Sequence, residues 1–253
     1  MHIVVLIKQT FDTEEKIVVR DGQVTSDGVK LIINPYDEYA LEEALRLREK
    51  HGGSVTAIAC GPESCAEALR TALAMGADEA IRIEPSPGDD SASIAAAIAA
   101  CIRPLAPDLL LAGLFAVDTG AGSVALQTAE RLGLPHVSAA VRVEISGGKL
   151  IADRDVEGDV ATVEVPLPAL VTAQQGLNEP RYPSLPGIMK AKRKPLRVTS
   201  RAELASGPTA PVTERLSIEG VPPRSAGKRL GGGSPAELAA ELARLLREEA
   251  KVL

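Results

Sequence analysis

Four short apolar runs, each bounded by glycine, proline or asparagine turns and interleaved with helical patterns, constrain this chain more than any other feature. His2 to Ile7 (HIVVLI) is continuous, as expected of a parallel strand covered on both faces. Further strands are expected at Ser54 to Ala59, Glu79 to Ile83 and Asp108 to Gly113. Helices are expected at Tyr36 to His51, Glu63 to Met75, Ser91 to Arg103 and Ser123 to Leu132. Asn34 suits an N-cap and Pro35 the first helical position, while Ala40, Leu41, Ala44, Leu45 and Leu47 form a buried stripe. This alternation predicts an α/β fold: a doubly wound, Rossmann-like parallel sheet with right-handed crossovers.

Additions to that core follow. Lys8 to Lys30 is polar, and its turn signals Asp21-Gly22 and Asp27-Gly28 predict a hairpin excursion. Val141 to Ile151 and Asp153 to Val165 alternate and predict an antiparallel hairpin, with another strand at Pro168 to Ala173. Gln174 to Lys194 holds few helix or strand signals. Ala205 to Ser234 is rich in Gly and Pro and reads as an extended arm, closed by a helix over Pro235 to Lys251. The expected division is an α/β domain over 1–200 and a C-terminal arm and helix over 201–253.

Composition narrows the function. Aromatics are 2% and Trp is absent, so a base-stacking nucleic-acid platform is not expected. The formal net charge of -6 argues the same way. Cys60, Cys65 and Cys101 are an odd, scattered set without zinc-ligand spacing, which fits a reducing compartment. The apolar stretch around Ala92 to Ile102 is too short to span a bilayer, so no direct membrane insertion is expected. A cytoplasmic location, or the mitochondrial matrix in a eukaryote, is the expectation.

In open α/β sheets ligands bind beyond the carboxyl ends of the strands, where strand order reverses. The loop Leu114 to Ser123 is Gly/Ala-rich (VDTGAGS) and feeds a helix N-terminus, which favours a phosphate. It has neither the Lys of a P-loop nor a GxGxxG pattern, so a plain tight turn stays open. Cys60-Gly61-Pro62 offers a second close approach. His2, His51 and His136 have no partners at useful spacing, and Cys60 has no nearby base. Asp89-Asp90 reads as an exposed loop pair rather than a metal site. No acid/base set is assembled, so a binding or carrier protein is expected rather than an enzyme.

Gln174 to Lys194 is the most distinctive segment. Pro180, Pro183 and Pro186 stiffen it, and Leu185 and Met189 stand in polar surroundings. It reads either as a protein-docking surface or as a connector tucked against the domain. The basic run from Lys190 to Lys194 either steers acidic partners or is a solvated edge.

Three stretches carry a family resemblance: INPYDEYALEEALRLREK (Ile33 to Lys50), CGPESCAEALRTALAMGADEAIRI (Cys60 to Ile83) and LNEPRYPSLPGIMKAKRK (Leu177 to Lys194). Together they resemble the β subunits of electron transfer flavoproteins, and the resemblance covers nearly the whole chain. It implies a heterodimer with an α subunit that holds most of the FAD, and an AMP in this subunit. It also implies electron donors such as acyl-CoA dehydrogenases and an acceptor such as a membrane quinone reductase. The implied AMP pocket uses Leu6, Asn34, Pro35, Tyr36, Asp37, Cys60 and Gly113. The loop Asp118, Thr119, Gly120, Ala121, Gly122, Ser123 and Val124 completes it. The implied docking residues are Arg181, Tyr182, Leu185, Ile188, Met189 and Lys190, with Leu185 as the anchor; Asp155 would lie near the flavin. Where relatives carry Gln, then Thr or Val, then Gly, this chain has Ser123, Val124 and Ala125, which leaves backbone N–H groups but fewer side-chain donors. An aromatic found near the flavin in some relatives is Thr13 here. Two other readings stay open: a bifurcating-type β subunit with a second FAD, and a stand-alone universal-stress-type ATP/AMP module.

Overall fold

The computed structural model describes every residue except Asp21, Ser26, Asp27, 205–208, Pro223 and Ser225. The turn positions expected at Asp21 and Asp27 therefore lie outside the described residues. Strand β1 (His2–Leu6) opens the chain. The excursion after it forms two small antiparallel pairs, β2 (Gln9–Phe11) with β5 (Leu31–Ile33), and β3 (Val19–Arg20) with β4 (Gln23–Val24). Helix α1 (Pro35–His51), strand β6 (Ser54–Cys60), helix α2 (Ala66–Met75) and strand β7 (Glu79–Ile83) follow. Next come α3 (Ser91–Ile102), β8 (Leu109–Gly113) and α4 (Ser123–Leu132). Each of these elements falls where the apolar runs and turn residues place it, apart from a first turn of 3-10 helix before α2.

The chain then departs from expectation. Instead of one hairpin, β9 (His136–Ser146), β10 (Lys149–Val156) and β11 (Asp159–Pro166) form a three-stranded antiparallel meander. The Gly147-Gly148 and Gly158 turns close its two hairpins, and β9 starts earlier because its first residues pair in parallel with β12 (Ala169–Ala173). The segment read as irregular contains helix α5 (Leu185–Ala191), started by Ser184, whose Oγ accepts the Gly187 N–H. Strand β13 (Leu196–Thr199) adds to β7, and helix α6 (Pro235–Glu248) ends the arm.

The nine-stranded sheet runs β11-β10-β9-β12-β8-β1-β6-β7-β13, parallel from β9 through β13. Strand β1 alternates its side chains between two cores. Ile3 and Val5 pack with Leu41, Leu45, Leu69 and Leu73 of α1 and α2. Val4 and Leu6 pack with Ile98, Ile102 and Ala129 of α3 and α4. This two-sided burial is why the strand reads as an unbroken apolar run. Chain order reverses between β1 and β8, since β6 and β7 add on one side of β1 and β8 on the other.

Candidate functional site

A cavity of about 260 Å³ opens at that reversal, on the α3 and α4 side of the sheet. Its floor is the carboxyl ends of β1 (Leu6), β6 (Ile58, Cys60) and β8 (Ala112, Gly113). Such a position is where doubly wound sheets place their ligands.

Two of these strand ends, those of β1 and β8, are tied together by one buried carboxylate. Asp37, in the first turn of α1, accepts Lys8 N–H at 2.7 Å on Oδ2. Its Oδ1 accepts Gly113 N–H at 3.0 Å and Asn34 Nδ2–H at 3.1 Å. Burial pushes the Asp37 carboxyl up to about 7, while these donors and Lys8 oppose the rise. Asn34 does not cap α1 with its side chain. Its amide instead donates to Phe115 O at 2.9 Å and its oxygen accepts Val117 N–H at 3.1 Å. Asn34 thus fixes the loop after β8, whose backbone offers better-placed partners than the first turn of its own helix.

That loop leads to a helix start with no side-chain cap. Gly122 is the N-cap of α4, and Gly122, Val124 and Ala125 line the cavity. The start of α3 differs, since Asp90 and Ser93 close it as a reciprocal capping box. An uncapped start leaves backbone N–H groups and the positive end of the helix dipole for an anion. Gly120 takes φ 66°, a turn that suits glycine. A Cβ at Gly113 would overlap Asp37 and Tyr36, and one at Gly122 would press on Leu114 O. The rim of the cavity is therefore built from close backbone approach at these two glycines.

Of the expected pocket residues, Leu6, Asn34, Asp37, Cys60, Gly113, Thr119, Ala121, Gly122 and Val124 line the cavity. Pro35, Tyr36, Asp118, Gly120 and Ser123 are not among its lining residues. Tyr36 packs on Phe115 with ring centroids 4.3 Å apart, and Asp118 pairs with Lys8 Nζ at 2.7 Å. Burial pushes the Cys60 thiol up to about 11, so the group is a neutral wall rather than a thiolate nucleophile. Lys8, in the loop after β1 expected at this end of the sheet, also lines the cavity; sequence reasoning missed Asp89, Asp90, Ile94 and Arg215, which line it too. The Asp89-Asp90 pair is not a solvated loop pair: Asp89 pairs with Arg201, and Asp90 holds α3 and the arm. Asp155 lies outside the cavity, on β10, within reach of Gln174 Nε2 at 3.4 Å.

The expected docking residues form a separate surface. Tyr182, Leu185 and Met189 are 94%, 80% and 74% exposed, and Ile188 and Lys190 are exposed beside them. Arg181 is different. Its guanidinium is held by Glu42 at 2.8 Å and Glu49 at 2.6 Å on α1, so it anchors the segment. The basic run is only partly solvated, because Lys194 Nζ donates to Leu73 O and Ala77 O at the end of α2. Among the described residues no group of acidic, His or Cys side chains is arranged to hold a metal, and no helix is long and apolar enough to cross a membrane.

Fold and cavity together define a doubly wound α/β domain with a cavity where the strand order reverses. The model of the electron transfer flavoprotein domain matches residues 21–204. The chain is 49% identical over its full length, and the full length of the relative, to the electron transfer flavoprotein subunit beta of Bacillus subtilis (strain 168). It is 44% identical to that of Syntrophomonas wolfei over 81% of this chain and 82% of the relative. To the human subunit beta it is 38% identical over 91% and 92%. The chain belongs to the electron transfer flavoprotein family, as a protein of its β-subunit type.

Proposed function

We propose that this chain is the AMP-holding subunit of a two-chain electron carrier, in which an α subunit carries FAD and this chain contributes binding and geometry rather than its own catalysis. The observation that carries the AMP assignment is the uncapped start of α4 opening into the cavity, beside the close backbone approaches at Gly113 and Gly122. The N–H groups of α4's first turn would hold the phosphate, and Leu6, Ile58 and Ile98 would pack on the adenosine. The bound FAD of the pair supplies the redox chemistry. This chain's part is to fix the two-chain geometry and to present α5 to electron donors such as acyl-CoA dehydrogenases. A quinone reductase would be the acceptor. Beyond the cavity the arm exposes Leu216, Val221, Leu242, Val252 and Leu253, an apolar series suited to clasping the α subunit. The three cysteines are free, in keeping with the cytoplasm or a mitochondrial matrix.

A second FAD here, as in a bifurcating-type subunit, is less favoured by size. At about 260 Å³ the cavity falls just below the range of about 300–1,000 Å³ usual for ligand pockets, which suits a mononucleotide better than a dinucleotide. Full-length identity to proteins named as subunits favours the two-chain reading over a stand-alone module. The test is to co-express this chain with its α partner, release the bound nucleotides and measure their masses and visible spectrum. One AMP and one FAD per pair is the expected result. Two FAD would assign the bifurcating type, and no adenine compound beyond the single FAD would overturn the AMP reading.

A further inference from the structure

The charges around the cavity pair off almost completely. Asp37 accepts three N–H groups. Asp89 is paired with the buried Arg201, which also donates to Ser93 O at 2.9 Å. Asp90 accepts Ser93 N–H on Oδ1 at 2.9 Å. Its Oδ2 accepts Val212 N–H at 2.8 Å, Thr213 N–H at 2.9 Å and the Thr213 hydroxyl at 2.9 Å. These bonds, led by the Ser93 N–H, hold the Asp90 carboxyl well below the usual carboxylate range. Lys8 Nζ is engaged by Asp118. Arg215 lines the same cavity, two residues past the Thr213 contact, and is in no ion pair with another described residue.

An arginine lining a cavity whose carboxylates are all satisfied is placed for a ligand's anionic group. We propose that Val212 to Arg215 is a strap, pinned by Asp90 across the mouth of the cavity, that delivers the Arg215 guanidinium to the phosphate of the bound nucleotide. The inference rests on the adenylate reading above and adds a residue of the arm to that site. Asp90 is then a positioning residue, and Arg215 adds to the α4 N–H groups in making the site prefer a nucleoside monophosphate to the bare nucleoside. The arm thereby couples the cavity to the surface that extends beyond it.

The test is isothermal titration of nucleotide-stripped full-length protein with AMP and with adenosine, using wild type, Arg215→Gln and Arg215→Lys. Arg215 is exposed, so neither change removes a core contact. Wild type should bind AMP more tightly than adenosine. Arg215→Gln should weaken AMP about ten- to a hundredfold, the range for a charge-assisted contact, with adenosine affinity unchanged. Arg215→Lys should recover part of the loss. Unchanged AMP affinity in Arg215→Gln, or an equal loss for AMP and adenosine, overturns the strap while leaving the adenylate site standing. A wild type that binds neither compound overturns the adenylate reading, and the strap with it.

Discussion

Asp37 and Gly113 meet where α1 passes the end of β8: the glycine N–H donates to the carboxylate at 3.0 Å, and no side chain fits at 113 beside it. Their contact sets the distance between the helix and the strand end that floors the cavity. Gly113→Ala forces a methyl group onto Asp37 and the Tyr36 backbone. Overpacking of this kind costs about 1–3 kcal/mol. Urea unfolding of the purified chain should show a lower midpoint with an unchanged slope, and AMP retention should fall. A midpoint equal to wild type would mean the strand end yields freely, against this picture.

The same carboxylate gives a pH signature. Burial holds the Asp37 carboxyl at about 7 in the folded chain, against an ordinary value of 3.8. Between those values the folded state keeps a proton that the unfolded state has lost. The contribution of Asp37 to stability is therefore largest below about 4, declines as pH rises towards about 7, and is level above that. Asp37→Asn removes both the titration and one acceptor, leaving an N–H facing an N–H at a cost of about 1–3 kcal/mol. Its deficit relative to wild type should narrow from pH 5 to pH 8. A deficit independent of pH would show that Asp37 stays ionised throughout.

Arg181 and Leu185 lie four residues apart where the segment after β12 enters α5, yet they should respond oppositely to truncation. Arg181→Ala leaves Glu42, whose side chain is 3% exposed, without its main partner. A buried acceptor stripped of a charged donor costs about 1–3 kcal/mol, so the melting temperature should drop. Leu185 is 80% exposed, and Leu185→Ala should leave the melting temperature within error. Stopped-flow flavin reduction of the co-expressed pair by an acyl-CoA dehydrogenase should nevertheless slow about tenfold, the loss of a small apolar hot spot. Normal transfer in Leu185→Ala would remove α5 from the docking role.

How much of this was legible depends on sequence separation. The α/β alternation was readable because parallel strands covered on both faces leave continuous apolar runs, and Gly52, Gly76 and Gly133 end their helices locally. Asn34 was readable as special but not in its role, since its partners Phe115 and Val117 are brought close only by the β1–β8 pairing. Strand β13 has two exposed central residues and gains its identity from β7, more than a hundred residues earlier. Helix α5 was hidden by its brevity and by Pro186 in its first turn. Arg215 carries no local signal at all; only the Asp90 contact to Val212 and Thr213 brings it to the cavity.

Gly187 lets α5 sit close against α2, where the proposed docking role places it. In the helix its Cα faces α2, and a Cβ there would collide with Ala74 O. The glycine is thus a point of close approach between the two helices, with Lys194 and Arg70 fastening the far end of the segment to α2. Gly187→Ala would push α5 outward without touching Leu185 or Met189. Local helix propensity favours alanine over glycine by about 1 kcal/mol, so the isolated helix should gain rather than lose order. Slower flavin reduction by the dehydrogenase in Gly187→Ala, with a retained AMP content, would show that the position of the apolar pair, and not merely its presence, governs docking. Unchanged transfer rates would show that the partner remoulds α5 on contact, and that its seat on α2 carries no function.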